Sequence, residues 1–208
     1  MKQPFGVILA GGLATRMGGG DKSLLRVGGK TLLSHVIDRL EPQVAGLALN
    51  ANGDASRFAT YGLPVLADSI DGYAGPLAGV LAGLDWAAEK GADHIVTVAA
   101  DTPFFPQDLT PQLLLASEIN ETPIALAATP KPSESAFWRH PTFGLWPVAL
   151  RDDLRAALND GLRKVVLWTD KHGAASAVFP SQGLDPFFNV NNPEDLQRAE
   201  QLIAGDAS

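Results

Sequence analysis

Residues 5–22 read FGVILAGGLATRMGGGDK and join a short apolar run to a glycine-rich loop. The apolar residues 5–9 predict a buried strand, and five glycines follow within residues 11–20, with Arg16 inside the loop and Lys22 just after it. Glycine permits positive φ and close approach, so successive N–H groups can converge on an anion while the two cations add full charges. The stretch therefore predicts a phosphate-binding loop that follows the first strand of an α/β fold.

The loop differs from two common nucleotide-binding motifs. No glycine directly precedes Lys22, as a P-loop requires, and the spacing G-x-G-x-x-G of dinucleotide-binding folds does not occur. A tight strand-to-helix turn with incidental surface charges is the alternative interpretation. Five glycines beside an arginine and a lysine favour the phosphate loop.

Short apolar runs alternate with amphipathic segments along the rest of the chain. Strands are predicted at residues 5–9, 46–50, 65–66, 94–99, 124–128 and 143–146, and helices at 31–40, 76–90, 110–117, 150–159, 162–171 and 193–203. Residues 129–142 are rich in proline and serine and are predicted to form a long loop. The β–α alternation predicts a single-domain, three-layer αβα fold around a mostly parallel, Rossmann-like sheet.

Composition excludes several classes of partner. The chain of 208 residues carries 23 acidic against 16 basic side chains, a formal net charge of -7, so no global basic field is available to bind nucleic acid. No apolar stretch reaches the roughly 20 residues of a membrane span. Cysteine is absent, which excludes disulfides and thiolate metal sites and fits a cytoplasmic protein.

Polar residues follow three of the predicted strands. Asn50 ends the second strand, Asp68 follows the third, and Asp101 follows the fourth. In an open parallel sheet, ligands collect outside the carboxyl ends of the strands, so these side chains are expected to meet. Asp101 could ligate Mg²⁺ on a nucleotide phosphate, because Mg²⁺ prefers oxygen ligands. A turn cap is the alternative role for Asp101 and for Asp68.

Two further features lie in the second half of the chain. Asn189 and Asn191 are two residues apart in an extended segment, so both amides should face the same side, although turn formation would also explain them. His140, beside the predicted long loop, is the one histidine of four that we expect to touch a ligand. Asn192 and Pro193 predict the start of the last helix, as N-cap and first helical residue.

Blocks of residues spread along nearly the whole chain resemble the molybdenum cofactor guanylyltransferases. The blocks are LAGG-x-x-x-RMGG-x-DK-x-LL at 9–25, NAN at 50–52, DS at 68–69, GPLAG at 75–79, DTP at 101–103, HP at 140–141 and FNVN-x-PEDL at 188–196. The first block is shared with many sugar and alcohol nucleotidyltransferases. The last block makes the resemblance specific to the narrower family.

The resemblance implies Mg²⁺-dependent transfer of GMP from GTP to the terminal phosphate of molybdopterin carrying molybdenum, on a fold of the nucleotide-diphospho-sugar transferase type. Residues 1–105 would bind GTP and Mg²⁺, and residues 106–208 would bind molybdopterin. The implied GTP contacts are Leu9, Ala10, Gly11, Gly12, Lys22, Asn50, Asp68 and Asp101, with Asp101 also the metal ligand. The implied catalytic residues are Lys22, Arg16 and Asp101, and the implied molybdopterin contacts are Asn189, Asn191, Arg163 and His140.

Other functions are compatible with the same residues. A cytidylyltransferase acting on molybdopterin or on a small alcohol phosphate would differ in its contacts to the base, which spacing does not determine. A non-catalytic carrier of nucleotide and cofactor would not need Arg16, Lys22 and Asp101 together. We expect a monomer that uses GTP and molybdenum-loaded molybdopterin as substrates, with molybdoenzyme maturation proteins as further candidate partners.

Overall fold

The computed structural model describes residues 2–11, 21–70, 72, 75–131, 136–181 and 185–206. Two predicted site residues, Gly12 and Arg16, lie outside the described residues. Within the described part of the chain, no helix is long and apolar enough to cross a membrane.

The described strands and helices alternate along most of the chain. Strands β1 to β9 are Phe5–Leu9, Arg26–Val27, Lys30–Thr31, Leu47–Asn50, Val65–Leu66, His94–Ala99, Ile124–Pro130, Phe137–Pro147 and Ala174–Val178. Helices α1 to α6 are Leu32–Leu40, Pro76–Glu89, Leu109–Ile119, Arg151–Asn159, Val165–His172 and Pro193–Asp206. Short 3₁₀ helices are Lys22–Leu24, Glu41–Gln43, Ala55–Tyr61 and Val148–Leu150.

Seven of the described strands form one sheet in the order β5-β4-β1-β6-β8-β7-β9, and β2 pairs with β3 in a separate hairpin. The pairs β4–β5, β1–β4, β1–β6 and β7–β9 are parallel. Strand β8 runs antiparallel to both of its neighbours, β6 and β7. The prediction of a mostly parallel sheet is confirmed, with β8 as the exception.

Alternate residues of the central strands point into two separate apolar layers. Val7 packs on one side of the sheet in a cluster with Leu81 of α2, whereas Ile8 packs on the other side with Val36 of α1 and Leu113 of α3. Helices α4 and α5 join α2 in the first layer. Side chains in a strand alternate between faces, so this period of two lets one strand bury both sides and gives the predicted three layers.

The prediction of a loop at residues 129–142 is wrong for residues 129–130 and 137–142. Strand β7 continues to Pro130 and β8 starts at Phe137, so these residues lie in two antiparallel strands. Residues 132–135 of the predicted loop lie outside the described residues. A register shift separates the β8 partners of Leu126 and Ala127, and Pro141 lies in the resulting irregularity. A proline at an irregular position costs no regular ladder bond, because its missing N–H is not required there. The proline and serine content therefore predicted a loop where the structure has strands.

The carboxyl-terminal helix packs on the small hairpin near the start of the chain. The backbone N–H of Asp195 donates to Asn192 Oδ1 at 2.8 Å, which confirms the predicted cap of α6. Val190 and Ala199 are buried with Val27 of β2 in a third apolar cluster. This packing brings the segment around residue 190 next to the elements that follow the glycine loop.

Candidate active site

A cavity of about 850 Å³ opens at the carboxyl ends of β1, β4, β5 and β6. Among the residues predicted for the site, its wall includes Leu9, Ala10, Gly11, Lys22, Asn50, Asp68, Asp101 and Asn189. The cavity is large enough for a nucleotide-sized ligand, since small-molecule sites span roughly 300–1,000 Å³. The strand ends thus bring together residues that are far apart in the sequence, as the parallel topology predicted.

Lys22 is the centre of a polar network in the wall of this cavity. Its ammonium Nζ donates to Asp101 Oδ2 and to Asn191 Oδ1, each at 2.6 Å. The Lys22 side chain is only 11% exposed, so its charge is held by protein oxygens rather than by bulk water. A nearly buried ammonium needs such partners, because desolvation without them is costly.

Asp101 connects β6 to the segment that carries the two asparagines. The carbonyl of Asp101 accepts from the Val190 N–H at 2.9 Å. The Thr102 hydroxyl donates a short hydrogen bond to Asn189 Oδ1 and lies 3.2 Å from Asp101 Oδ1. Asn189 and Asn191 therefore face the same group of residues, as their spacing indicated. In this structure their amide oxygens hold Thr102 and Lys22.

A second polar group lies after β4 and β5. Asn50 is buried, and its Nδ2 donates to Asp68 Oδ1 at 2.9 Å and to the Leu66 carbonyl at 3.1 Å. Asn52 Nδ2 donates to Asp68 Oδ2 at 2.8 Å, and Asn52 Oδ1 accepts from the Asp68 N–H at 2.9 Å. Two amides thus fix both carboxylate oxygens of Asp68 at the cavity wall. Asn52 was not among the predicted site residues, although it belongs to the block NAN.

Glycine in helix α2 lets that helix lie directly against Asn50. A Cβ at Gly79 would stand 2.2 Å from Asn50 Oδ1 and 2.8 Å from Leu9 Cδ2. Both distances are far below contact, so a larger residue would displace Asn50 or the helix. The last glycine of the block GPLAG therefore lets α2 pack closely enough to form one side of the cavity.

His140 lies away from the cavity wall in an aromatic cluster. Its ring stacks on Phe187 with centroids 4.3 Å apart, and its Nε2 is 3.0 Å from Thr129 Oγ1. Burial lowers the pKa of His140, while the charge of Asp185 opposes that shift. The structure therefore gives this side chain a packing role and does not bring it to the predicted site.

Arg163 also lies apart from the cavity. It is in the loop between α4 and α5, where its Nη1 donates to the Leu162 carbonyl at 2.8 Å. Leu162 lines a different, smaller cavity of about 510 Å³ formed by these two helices. The structure does not bring Arg163 together with Asn189 and Asn191.

The donor set fits a magnesium ion that arrives with its substrate. Within the described residues, no group of three or more His, Asp or Glu side chains could hold a metal by itself. Mg²⁺ is usually bound by one or two carboxylates together with substrate phosphates and water. Asp101 at the cavity wall, 27% exposed in its side chain, can supply such a carboxylate.

The chain is similar to known proteins over most of its length. The model of the MobA-like NTP transferase domain matches residues 6–174. A molybdenum cofactor guanylyltransferase of Bradyrhizobium sp. (strain ORS 278) is 52% identical over 202 residues, covering 96% of this chain and 92% of that relative.

Solved structures show the same fold. The molybdopterin-guanine dinucleotide biosynthesis protein A of Archaeoglobus fulgidus superposes with a TM-score of 0.73 at 22% identity, covering 97% of this chain and 99% of that one. A CMP:2-keto-3-deoxy-manno-octonic acid synthetase in complex with CTP gives a TM-score of 0.73 at 14% identity, covering 99% of this chain and all of that one.

The chain has the three-layer fold of these solved structures, with a cavity at the carboxyl ends of its strands. The matching family model and the relatives at about 50% identity make it a nucleotidyltransferase. Within that class, the chain belongs to the MobA-like NTP transferase family.

Proposed function

We propose that this protein transfers GMP from GTP to the terminal phosphate of molybdenum-loaded molybdopterin and releases pyrophosphate. The observation that carries the proposal is the contact of Lys22 with Asp101 and Asn191 at the wall of the cavity. Relatives that are 52% and 54% identical to this chain are named molybdenum cofactor guanylyltransferases, which supports GTP and molybdopterin as the substrates.

In the proposed reaction, an oxygen of the molybdopterin phosphate attacks the α-phosphorus of GTP. A new P–O bond forms while the bond from the α-phosphorus to the bridging oxygen of the β-phosphate breaks, so pyrophosphate leaves with that electron pair. Because both reactants are anions, the protein has to neutralise and orient charge rather than supply a nucleophile.

Lys22 is the residue of the described chain best placed for this task. Its Nζ is held by two oxygens that triphosphate oxygens could replace, so binding would exchange protein partners for substrate partners. Asp101, released from Lys22, would then present its carboxylate to Mg²⁺. When bound, Mg²⁺ would stabilise negative charge on the phosphates. Arg16 is proposed as a further phosphate contact.

The other end of the cavity is proposed to hold the nucleoside. The residues proposed for this end, all of which belong to the cavity wall, are Leu9, Ala10, Gly11, Asn50 and Asp68. The two amides that hold Asp68 fix its oxygens in place, so Asp68 can accept hydrogen bonds from a base in one orientation. This part of the site would distinguish GTP from CTP.

The acceptor is proposed to bind on the side formed by residues 106–208. Thr142 of β8 and Asn189 belong to the cavity wall, and Asn191 contacts Lys22. Molybdopterin would thus reach the phosphates from the side opposite Asn50. We further propose a monomeric, cytoplasmic enzyme whose product passes to molybdoenzyme maturation proteins.

The decisive experiment measures pyrophosphate release by the purified protein with Mg²⁺, molybdenum-loaded molybdopterin and either GTP or CTP. We expect release with GTP that needs the acceptor, stops on chelation of Mg²⁺ and returns when Mg²⁺ is restored. Release with CTP alone would retain the mechanism and correct the base. Absence of release with both nucleotides would contradict the proposal and favour another acceptor or a non-catalytic carrier.

A further inference from the structure

We infer that Arg57 is a positioning residue that fixes both ends of the nucleotide site, an inference that rests on the proposed function. Arg57 lies in the 3₁₀ helix Ala55–Tyr61, between β4 and β5, and its side chain is 29% exposed. It does not line the cavity, so we expect it to act on the reaction through the residues that it holds.

The first contact of Arg57 leads to Lys22. Its Nε donates to Asp21 Oδ2 at 2.9 Å, and the Asp21 side chain is only 10% exposed. The other carboxylate oxygen of Asp21 accepts from the Ser23 N–H at 3.2 Å and from the Ser23 hydroxyl at 2.7 Å. Asp21 thereby caps the short helix that begins with Lys22. Arg57 therefore holds the cap that sets the direction of the Lys22 backbone.

The second contact of Arg57 leads to Asp68. Its Nη2 donates to the Asn52 carbonyl at 2.7 Å, and its Nη1 donates a short hydrogen bond to the Asp54 carbonyl. Asn52 in turn holds Asp68 through both atoms of its amide group. One guanidinium is thus connected to the proposed phosphate end through Asp21 and to the proposed base end through Asn52.

The shape of the arginine side chain suits this double role. A guanidinium is planar and presents its donors in a fixed fork, so three acceptors in different directions are held relative to one another. The Arg57 guanidinium also lies over the ring of Phe58, 4.5 Å from its centroid, and Phe58 is 1% exposed. This contact anchors the fork to the core. A lysine would keep the charge but could not hold the same three acceptors.

The distance between the two ends of the site matters for nucleotide binding. A triphosphate held by Lys22 and a base held near Asp68 are parts of one molecule, so a shift of either contact weakens both. Misplacement of a binding group by about 1 Å can cost a large part of the rate. We therefore expect loss of Arg57 to impair the nucleotide and to leave the acceptor unaffected.

Arg139 provides a matched control. Its side chain is 32% exposed, its Nη1 donates to Asp170 at 2.8 Å, and it also contacts Ser176 and the Ala174 carbonyl. Replacement of Arg57 or Arg139 by alanine removes an arginine of similar exposure with one carboxylate partner. Only Arg57 is connected to Asp21 and Asn52. A merely structural contribution would appear in both variants.

The test compares wild type with Arg57→Ala, Arg57→Lys, Asp21→Asn, Arg57→Ala/Asp21→Asn and Arg139→Ala. Calorimetry with Mg²⁺ and no acceptor measures the affinity for GTP and for CTP, and thermal denaturation checks folding. Steady-state pyrophosphate release then gives KM for the nucleotide and KM for molybdopterin separately.

We expect Arg57→Ala to weaken nucleotide affinity and to raise the nucleotide KM by about tenfold, the size of one lost charge-assisted contact, with the molybdopterin KM unchanged. Arg57→Lys should lie between this variant and wild type, and Arg139→Ala should match wild type. The double variant should be little worse than Arg57→Ala, because both changes break the same connection.

Other outcomes would overturn the inference. Normal nucleotide affinity in Arg57→Ala, an equal loss in Arg139→Ala, or an equal rise in both KM values would each do so. If Arg57→Ala fails to fold, a wild-type affinity in Arg57→Lys would refute it instead. Tight nucleotide binding by wild type without pyrophosphate release would refute the proposed reaction alone. Absence of binding of both nucleotides would refute both.

Discussion

The two parts of the central sheet use the same edge differently. Where β1, β4, β5 and β6 end, polar side chains of different strands bind one another around a cavity, as in the contacts of Lys22 with Asp101 and of Asn50 with Asp68. Around β8 and β7, His140 and Phe143 pack against Phe187. The parallel strands all end at the same edge of the sheet, so the polar residues that follow them meet there. At the antiparallel strand β8, aromatic rings cover this edge instead.

This difference separates two effects of mutation. Substitutions in the polar network around the cavity, where β1, β4, β5 and β6 end, should act mainly on nucleotide binding and turnover. Changes in the second part of the sheet and the helices packed on it should act mainly on the free energy of unfolding. The predictions below test this separation, beginning with the largest expected effect.

Replacement of Lys22 by alanine should lower kcat/KM for pyrophosphate release by about 10³-fold, because it removes the preorganised charge that we propose to act on the reacting phosphates. Lys30→Ala is the control, since Lys30 forms an exposed ion pair with Asp38 at 2.7 Å and does not line the cavity. Lys30→Ala should retain wild-type rates. A rate for Lys22→Ala within a few fold of wild type would remove this lysine from the mechanism.

Two glycines of α2 allow a direct comparison of site and core. A Cβ at Gly79 would meet Asn50 Oδ1, whereas a Cβ at Gly83 would meet Val7 and Ile95 side chains at 2.7 and 2.9 Å. Each substitution to alanine should reduce the free energy of unfolding by about 1–3 kcal/mol through overpacking. Only Gly79→Ala should also weaken GTP binding, by about tenfold, because it displaces a cavity side chain.

Urea unfolding and calorimetric GTP titration of both glycine variants would check this expectation. Equal affinities for GTP in the two variants would contradict the assignment of Asn50 to the nucleotide site.

Asp153 stabilises the packing of α4 against α5. It accepts from the buried Trp168 indole at 2.8 Å and from Lys171 at 2.9 Å, and its contact with His172 is 2.7 Å. The hydrogen bond from Lys171, followed by those from Trp168 and His172, lowers the pKa of Asp153 to about 2. Asp153→Ala should cost about 1–2 kcal/mol at pH 7, because it leaves the indole N–H without its acceptor.

The pH dependence of this contribution has a definite sign. A carboxyl with a lowered pKa stabilises the fold above its unfolded pKa of 3.8, and this stabilisation is lost as the pH falls toward 2. The difference in unfolding free energy between wild type and Asp153→Ala should therefore shrink between these pH values in denaturant titrations. Turnover at pH 7 should be unchanged, and a large loss of turnover would show that the two regions are coupled.

The smallest expected effect concerns His140. Because burial lowers its pKa, the neutral ring stabilises the fold above the ordinary value of 6.5 and this contribution falls as the pH drops below it. Wild type should therefore lose more of its unfolding free energy than His140→Gln between pH 7 and pH 5. Denaturation curves at both pH values would measure this. A raised KM for molybdopterin in His140→Gln at pH 7 would instead support the ligand contact indicated by sequence.

Hydrophobic pattern and strand ends predicted much of this molecule. The bounds of β1, β5 and β6 agree with the predicted ones, because each is a short, mostly apolar run followed by one alanine and then by glycine or aspartate. The parallel arrangement then brought Asn50 and Asp101 to one cavity. Elements without such a pattern were not predicted: β2 and β3 have two residues each, and β9 is the alanine-rich segment AASAV.

Contacts between residues far apart in the sequence could not be predicted either. Asn191 is 169 positions from Lys22, and Arg57 is 36 positions from Asp21, so no local spacing links either pair. Asn189 and Asn191 were singled out from their spacing, but their contact with Thr102 and Lys22 depends on how α6 packs on β2. Arg57 gave no sequence signal, because an arginine in a short helix is ordinary.

The contact between Lys22 and Asn191 also sets an order of events during synthesis. A nascent chain that has passed Asp101 can already pair β1, β4 and β6, because all three strands have been made. Its Lys22 still lacks one acceptor, because Asn191 is made 169 positions after Lys22. We expect the growing polypeptide to hold a loose form of the cavity until Asn191 has emerged from the ribosome, so a chain that ends shortly before residue 191 should bind GTP less tightly than the full chain.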